Sequence, residues 1–390
     1  MKPGYLMTLS WFPASEVGGV NQAVLNLARV MLENGSWQPL LLVTCETEIP
    51  ASHPHIVCPV ESLYLRPPDS LRSILAFLAH LPTALFRLTR LLRASDVRIV
   101  SCHFPDNESV HFALLRRLRL YQGKLVLSFH GEDIRILSLK TALGRSIARW
   151  MMRNADAVVA CSHGLLRDLV TFEPACNKHA AVIYNAIDID KFTSGIEKTF
   201  VLPDVLQGKR FLLNVARYEY KKGQDILIKA FDKIAAEFPD LMLLMIGTSV
   251  GQESANVRSM VDQSPVSERI LMLENIPHTR VGAFMQAAEI FVLPSRREGF
   301  PFVLLEAGAM RLPVVAAACL GVPEIIQDGE TGRLVPVEDA DALANAIGSL
   351  LRDKQKRRRY ASQLHDLVAR DFSWKTAYQK HVNFVEAPCE

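Results

Sequence analysis

The sequence predicts an α/β protein made of two doubly wound, Rossmann-like domains that face each other across a cleft. Three observations support this fold class. A length of 390 residues suits two domains, with 49% hydrophobic residues for their cores. Short β-branched or leucine-rich runs alternate with longer helical patterns, as in parallel sheets covered by helices. The pattern restarts once, after the polar, proline-interrupted stretch "IEKTFVLPDVLQGK" at residues 196–209.

Eleven strands follow from these runs, and they define the expected domains. The first domain is expected over residues 1–195, the linker over 196–209 and the second domain over 210–372. The strands of the first domain are predicted at residues 5–10, 39–44, 97–102, 124–129, 157–161 and 181–184. Those of the second domain are predicted at residues 210–215, 241–246, 269–273, 290–293 and 313–317.

Composition narrows the class of function. The 44 basic and 41 acidic residues leave a net charge of +3, too small to indicate a nucleic-acid partner. Seven cysteines without a C-x-x-C pair predict a reducing compartment, with neither disulfides nor a zinc site. No signal-peptide pattern is present, so a cytoplasmic location is expected. The longest uncharged apolar run, residues 73–86, is too short to span a bilayer, which needs roughly 18–20 residues.

Ligands of doubly wound sheets bind beyond the carboxyl ends of the strands, so the loops there hold the candidate residues. Gly18 and Gly19 open a helix after the first strand, where backbone amides can approach an anion. A plain structural turn is the alternative. Their spacing is not G-x-G-x-x-G, which disfavours a dinucleotide-binding dehydrogenase.

Three further side chains follow predicted strands. His130 ends the strand at residues 124–129 and precedes a glycine, a good position for ligand contact. Arg217 comes just after a strand and Lys222 just before a helix, and such a pair of cations suits a diphosphate. Solvated loop cations are the alternative interpretation of Arg217 and Lys222.

Two glutamates stand in the otherwise apolar stretch "REGFPFVLLEAGAMRLPVVA" at residues 297–316. Pro301 is expected in the first turn of a helix, where its missing N–H costs nothing. Glu298 is therefore predicted on a loop and Glu306 inside the helix. The alternative to a functional pair is one solvated loop acid plus one acid on a buried face.

Taken together, the chain resembles the retaining nucleotide-sugar glycosyltransferases of family 4, which have the two-domain GT-B fold. The likeness covers nearly the whole chain, and its most specific part is the E-x7-E element formed by Glu298 and Glu306. The matching segments, in order, are "GGV", "HGED", "ADAVVACSHGLLRDL", "VIYNAIDIDKF", "VARYEYKKGQDILIKAF", "PSRREGFPFVLLEAGAMRLPVVA" and "GVPEIIQDGETGRLV".

The resemblance implies roles for the candidate residues. Arg217 and Lys222 would hold the diphosphate of the donor, Glu298 would contact the donor sugar, and His130 would reach the transferring sugar. Glu306 would bind the ribose hydroxyls, and backbone amides at the start of the following helix would assist the phosphates. The implied donor-binding set is Gly18, Gly19, Gly299, Phe300, Pro301, Phe302 and Glu306.

No cofactor or metal is implied, and the donor would be a UDP-, GDP- or ADP-sugar. The D-x-D formed by Asp188 and Asp190 matches a family loop and is interpreted as structural. The C-terminal helix, residues 373–390, would return to the first domain. The chain departs from the family at Arg311 and Ala186, where glycine is usual. A non-glycine residue at a left-handed helix cap costs roughly 1 kcal/mol.

A basic, leucine-rich segment extends from Arg66 to Arg98, with six arginines and two aspartates. Arg87, Arg90 and Arg93 recur every three residues among leucines. Such a helix can bind an anionic membrane surface, although a helix covering a parallel sheet has the same composition.

The leading hypothesis is a retaining glycosyltransferase that moves a hexose to a saccharide or lipid-linked saccharide acceptor in polysaccharide or glycolipid biosynthesis. A nucleotide-sugar epimerase of the same fold and a non-catalytic nucleotide-sugar-binding subunit are the alternatives. A glycoside hydrolase is disfavoured because its carboxyl groups lie about 5–9.5 Å apart, whereas eight helical residues rise about 12 Å.

Overall fold

The computed structural model describes residues 2–9, 19–44, 56–197, 199–248 and 252–386. Contacts within the chain divide it into two units. The first unit runs to Asn185 and resumes at Trp374, and the second unit is Ala186–Ser373. Each unit contains one parallel β-sheet with helices packed on it.

The first sheet has seven parallel strands in the order β3-β2-β1-β4-β5-β6-β7. The elements up to Asn185, in chain order, are β1 (Gly4–Leu9), α1 (Gly19–Asn34), β2 (Gln38–Val43), β3 (Val60–Ser62), α2 (Leu71–Ala94), β4 (Val97–His103), α3 (Val110–Arg117), β5 (Lys124–Phe129), α4 (Glu132–Leu139), α5 (Ala142–Asn154), β6 (Ala157–Ala160), α6 (His163–Phe172) and β7 (Ala180–Val182).

The second sheet has six parallel strands in the order β10-β9-β8-β11-β12-β13. The elements of the second unit are α7 (Ile189–Ser194), β8 (Arg210–Val215), α8 (Gln224–Ile234), β9 (Leu241–Gly247), α9 (Glu253–Asp262), β10 (Ile270–Glu274), α10 (His278–Ala287), β11 (Ile290–Leu293), α11 (Phe302–Ala309), β12 (Val314–Ala317), β13 (Arg333–Val335), α12 (Ala340–Arg352) and α13 (Lys354–Asp371). The last helix, α14 (Trp374–Glu386), belongs to the first unit.

The predicted fold class of two doubly wound parallel sheets is confirmed. All eleven predicted strands are present, with ends shifted by no more than two residues in the described part of the chain. Strands such as β1 and β9 are buried along their whole length, which explains their nearly continuous apolar sequences. In both sheets the strand order reverses direction once, between β1 and β4 and between β8 and β11. Such reversals are where ligands of these sheets bind.

The segment expected to be a linker is part of the second unit. Glu197 forms an ion pair with Arg280 on α10 at 2.8 Å, and the ring of Phe200 packs edge-on against Phe284 at 4.8 Å. Leu206 is fully buried. The division between the units falls after Asn185 instead of after residue 195. The apolar residues of this segment follow no strand or helix period, yet Ile196 and Phe200 contact α10.

Helix α14 is tied to the first unit by hydrogen bonds at its end and one turn earlier. The indole of Trp37 donates to Glu386 at 3.0 Å, and Lys124 donates to the backbone carbonyl of Val385 at 2.8 Å. His381 is 4% exposed, and its Nε2 lies 2.5 Å from the hydroxyl of Tyr5 on β1. The chain therefore leaves the first unit after β7 and completes it with its last helix.

Helix α2 is the one helix of the described residues that is long and apolar enough, by length and composition alone, to cross a membrane. Its apolar window has a mean hydropathy of 1.3 and is only 22% buried. One face packs into the first unit through Phe77, Leu88 and Leu92, which are at most 7% exposed. Because only that face is buried and the rest of the helix is exposed, α2 packs on the first unit as a surface helix.

Candidate active site

Lys222 and Glu298 meet where the strand order of the second sheet reverses. Lys222 lies on the loop after β8, and Glu298 on the loop after β11. The ammonium Nζ of Lys222 donates to both carboxylate oxygens of Glu298, at 2.8 and 3.0 Å. The hydroxyl of Ser295 donates to the same carboxylate at 2.7 Å. The sequence identified both charged residues separately, but not their ion pair or the serine.

A tight turn holds Lys222 in this position. Tyr220–Lys222 forms one turn of 3₁₀-helix, and Gly223 follows with a left-handed φ of +70°. A Cβ atom on Gly223 would lie 2.2 Å from the carbonyl oxygen of Pro294, so only glycine allows the two loops to approach this closely. Below them, Asn214 at the end of β8 donates to the carbonyl of Val292 on β11 at 2.9 Å.

Arg217 lies at the same end of β8 but contacts a different acid. Its guanidinium is 2.8 Å from Glu219, and the side chain is 52% exposed. Glu219 also pairs with Lys221 at 3.0 Å. The loop thus presents an exposed cation beside the more buried Lys222, and Glu219 orients it. Glu219, which stands between the two predicted cations in the sequence, was not predicted.

Both acids of the E-x7-E element are buried. Glu298 is 8% exposed and Glu306 is 5% exposed, so the alternative of a solvated loop acid is wrong. Glu298 lies on a loop and Glu306 within α11, as predicted, whereas Pro301 is the N-cap and not part of the first turn. Nε2 of His278 lies 2.9 Å from Glu306. His278, the first residue of α10, was not predicted.

The remaining predicted residues of this segment form the entry into α11. Gly299 follows Glu298 on the loop, and Phe302 is the first helical residue. Phe300 is 3% exposed, and its ring packs edge-on against Phe372 at 5.3 Å. This buried ring anchors the loop, so that Glu298 and the start of α11 keep a fixed relation to each other.

In the first unit, His130 lies just after β5 and faces a second histidine. Its Nε2 is 3.1 Å from Nδ1 of His103, the last residue of β4. Burial lowers the pKa of His130 to about 4, and burial together with His130 lowers the pKa of His103 well below its ordinary value. Both rings are therefore neutral near pH 7, where one donates and the other accepts a hydrogen bond.

The backbone after β5 is organised by Asp133. Its carboxylate accepts hydrogen bonds from the amides of His130, Gly131 and Ile134, at 2.6, 2.9 and 3.0 Å. Burial raises the pKa of Asp133 to about 6, although these amides oppose the shift. Gly19 is the exposed first residue of α1, and Gly18 lies outside the described residues.

A pocket lies next to His130 in the first unit. Its walls come from α1, the carboxyl ends of the strands and α14, and they include His103, His381, Tyr184 and Trp374. Neutral imidazoles among apolar side chains suit uncharged hydroxyl groups better than they suit a phosphate.

The D-x-D segment has a structural role. The carboxylate of Asp188 caps α7 by accepting the amide of Lys191 at 3.0 Å, and Asp190 lies in the first turn of that helix. Among the residues that the structure describes, no group of three or more His, Cys, Asp or Glu side chains is arranged to hold a metal ion.

Comparisons with known proteins cover both units. The model of Glycosyltransferase Family 4 matches residues 17–191, and the model of Glycosyl transferases group 1 matches residues 199–364. N-acetyl-alpha-D-glucosaminyl L-malate synthase of Bacillus anthracis is 25% identical over 73% of this chain and 74% of the relative. Phosphatidyl-myo-inositol mannosyltransferase of Mycobacterium leprae is 28% identical over 92% of this chain and 90% of the relative.

Solved structures share the fold. Sucrose-phosphate synthase of Thermosynechococcus elongatus covers 99% of this chain and 98% of its own, with a TM-score of 0.77 and 21% identity. The Anabaena protein Alr3699/HepE in complex with UDP covers 99% of this chain and 100% of its own, with a TM-score of 0.79 and 20% identity. Because family models match both units in chain order and the fold agrees over nearly the full length, the chain belongs to glycosyltransferase family 4, the GT-B enzymes that transfer sugars from nucleotide sugars.

Proposed function

We propose that this enzyme transfers a hexose, with retention of anomeric configuration, from a nucleoside-diphosphate sugar to a saccharide or lipid-linked saccharide. The observation that carries the proposal is the partly buried ion pair of Lys222 and Glu298 at the reversal of strand order in the second sheet. The names of relatives support such acceptors, since one is a phosphatidyl-myo-inositol mannosyltransferase and another a colanic acid biosynthesis glycosyltransferase.

Each charged group of the site has a role in this reaction. Breaking the bond between the anomeric carbon and the diphosphate oxygen places negative charge on the leaving group and positive character on the sugar. Lys222 and Arg217 stabilise the departing diphosphate, and the amides at the start of α11 assist them. Glu298 orients the sugar, and Glu306 accepts hydrogen bonds from the ribose hydroxyls. His130, beside the pocket of the first unit, binds a sugar hydroxyl group.

The first experiment tests transfer against the alternative functions. Purified protein is incubated with UDP-, GDP- and ADP-hexoses, with and without a lipid extract, and free nucleotide is measured. Release that depends on the extract, with a product of retained anomeric configuration by NMR, is expected. Isomerised sugar without nucleotide release would identify an epimerase, and binding without either reaction would identify a binding subunit.

The second experiment tests the site. Lys222→Ala and Glu298→Gln are each expected to lower turnover by about 10²–10³-fold, because each removes a charged group aimed at the transition state. Lys233→Ala is the matched control, since it removes a lysine from an exposed ion pair with Asp341 in the same unit. All three variants should remain folded by circular dichroism. Wild-type turnover in both site variants would refute the assignment.

We also propose that α2 binds an anionic membrane, on the inner face of the cell membrane, and brings the enzyme to lipid-linked acceptors. Leu75, Leu78 and Phe86 are 74%, 53% and 68% exposed and share one face of α2, because they are spaced by three and eight residues. Arg87 and Arg90 are exposed on the same helix, which contains no acidic residue. Apolar side chains flanked by cations match an anionic bilayer surface.

Vesicles containing phosphatidylglycerol test this contact by co-sedimentation. Binding should weaken as salt rises and should fall strongly in Phe86→Ser and in Arg87→Gln/Arg90→Gln. The control Arg358→Gln/Arg359→Gln, which removes two exposed arginines from α13, should bind like the wild type. The proposal would be contradicted if the α13 control lost as much vesicle binding as the α2 variants, or if the α2 variants bound vesicles like the wild type.

A further inference from the structure

Arg296 connects the two loops that carry Lys222 and Glu298. It lies two residues before Glu298, and its backbone amide donates to the carbonyl of Lys221 at 2.8 Å. Its guanidinium Nη1 donates to the carbonyl of Tyr220 at 2.6 Å. The loop after β11 thus holds the two residues that immediately precede Lys222. The side chain of Arg296 is only 13% exposed.

The same guanidinium also fixes the start of α8. Its Nη1 and Nη2 donate to the two carboxylate oxygens of Asp225, each at 2.8 Å. Nε donates to Glu338 at 2.7 Å, and the guanidinium stacks on the ring of Tyr220, 3.8 Å from its centroid. Every nitrogen of the guanidinium therefore donates to a protein acceptor. Arg296 is committed to contacts within the protein and not to a substrate.

The charges of this cluster reinforce one another. The hydrogen bond with Asp225 raises the pKa of Arg296, with burial opposing it and Glu338 adding to it. Burial disfavours the carboxylate of Asp225, but the hydrogen bonds from Arg296 outweigh burial and lower its pKa. Arg296 and Asp225 are therefore both ionised near pH 7, and their bidentate contact is a salt bridge.

We propose that Arg296 is a positioning residue that holds Lys222 against Glu298 for sugar transfer. The inference rests on the function proposed above for these two residues. One side chain binds the turn on which Lys222 lies, and it belongs to the loop on which Glu298 lies. Without the planar guanidinium, the distance between the two loops is less well defined. Small displacements of catalytic groups lower the reaction rate by large factors.

Arginine is needed here because the contacts lie in several directions. The planar guanidinium binds the Asp225 carboxylate in a bidentate manner while also reaching Tyr220 and Glu338. A lysine keeps the positive charge but offers one nitrogen in place of three. The variant Arg296→Lys therefore keeps the positive charge and removes the hydrogen-bonding geometry of the guanidinium.

The experiment compares Arg296→Lys with Arg352→Lys. Arg352 also makes a bidentate pair, with Glu237 at 2.5 Å, but on the exposed surface of the same unit. Arg296→Lys is expected to lower kcat by about 10–100-fold while the donor KM changes less than about threefold. Arg352→Lys should stay within about twofold of the wild type. Unfolding midpoints and hydrogen exchange at residues 219–224 accompany the kinetics.

A double-mutant cycle decides whether Arg296 acts through Lys222. Lys222→Ala combined with Arg296→Lys should be no slower than Lys222→Ala alone, because the residue being positioned is already absent. Additive losses, or a normal kcat in Arg296→Lys, would overturn the proposal. If Arg296→Lys does not fold, Asp225→Asn replaces it, because it weakens the bidentate contact while Arg296 remains. Asp225→Asn must then lower kcat while the donor KM changes little.

The cycle also separates this inference from the proposed function. Wild-type rates in Lys222→Ala itself would refute the proposed site. A large loss in Lys222→Ala together with wild-type kinetics in Arg296→Lys would refute only the role of Arg296.

Discussion

At the scale of single residues, the close approach of two loops at Gly223 decides where Lys222 lies. Gly223 combines a φ of +70° with a Cβ position 2.2 Å from the carbonyl oxygen of Pro294. Gly223→Ala is expected to destabilise the second unit, because it adds a left-handed alanine and forces the loops apart. The backbone term costs about 1–2 kcal/mol and the overpacking about 1–3 kcal/mol more. Denaturant unfolding and turnover measure the two consequences.

Gly208 provides the control for this prediction. Its φ is +69°, nearly the same as that of Gly223, but no atom lies within 4 Å of its Cβ position. Gly208→Ala should therefore carry the backbone cost alone and keep full turnover. Equal stability and equal turnover in the two variants would mean that the approach to Pro294 does not matter.

The sequence predicted the charged residues of this site better than their partners. Lys222 and Glu298 were identifiable because each follows a strand, and because the chain resembles a known family around them. Ser295 and Glu219 were missed although they lie within three residues of a candidate. Their contribution depends on which way short loop side chains point. His278 was out of reach, since 28 residues separate it from its partner Glu306.

At the scale of elements, the end of α11 shows how a departure from the family is accommodated. Arg311 has a φ of +52°, which is the left-handed conformation that glycine usually supplies. The amide of Leu312 donates to the carbonyl of Ala307 at 2.9 Å, and that of Arg311 to Gly308 at 3.1 Å. These are the two bonds of a Schellman motif. The helix therefore ends in the ordinary way, with arginine under strain.

Arg311→Gly is expected to raise the stability of the second unit by about 0.5–1 kcal/mol. Glycine removes the cost of the left-handed conformation, although it gains more entropy on unfolding. Urea denaturation measures the change. Arg311→Ala is the control, since it keeps a Cβ at the strained position and should bring no gain. If Arg311→Ala gained as much stability as Arg311→Gly, the effect would come from removal of the arginine side chain and not from the backbone conformation.

Two short strands show what local sequence patterns do not reveal. β3 and β13 have three residues each and lie at the edges of their sheets. β7 is equally short but entirely apolar, whereas β3 contains Glu61 and Ser62 and β13 contains Arg333, so neither has the apolar run that predicts a buried strand. Their strand conformation comes from pairing with β2 and β12, which the sequence specifies only through the tertiary fold.

At the scale of the whole molecule, the return of α14 makes the first unit sensitive to acid. Burial lowers the pKa of His381 to about 4. An unfolded histidine titrates near 6.5, so the unfolded state binds more protons as the pH falls below that value. Stability is therefore present above pH 6.5 and is lost as the pH falls towards 4. Between pH 7.5 and 5 the loss from this residue is about 2 kcal/mol.

His381→Gln is expected to remove that share of the acid sensitivity while keeping a hydrogen-bond partner for Tyr5. Trp37, Trp150 and Trp374 belong to the first unit, so tryptophan fluorescence reports its unfolding. Asp133, whose raised pKa acts in the opposite direction between pH 6 and 4, is present in both proteins and cancels in the comparison. Identical pH dependence of the two proteins would exclude His381 as a source.

The sequence by itself determined the fold class, eleven of the strands and the candidate site residues that follow β5, β8 and β11. Buried strands need continuous apolar runs, and ligand-binding loops follow them, so both features can be recognised from short stretches of sequence. Only the tertiary structure decided that Lys222 pairs with Glu298, that Arg296 ties their loops together and that Ile196, Glu197 and Phe200 contact α10. These contacts join residues far apart in the chain, and they depend on side-chain directions that become defined only when the sheets assemble.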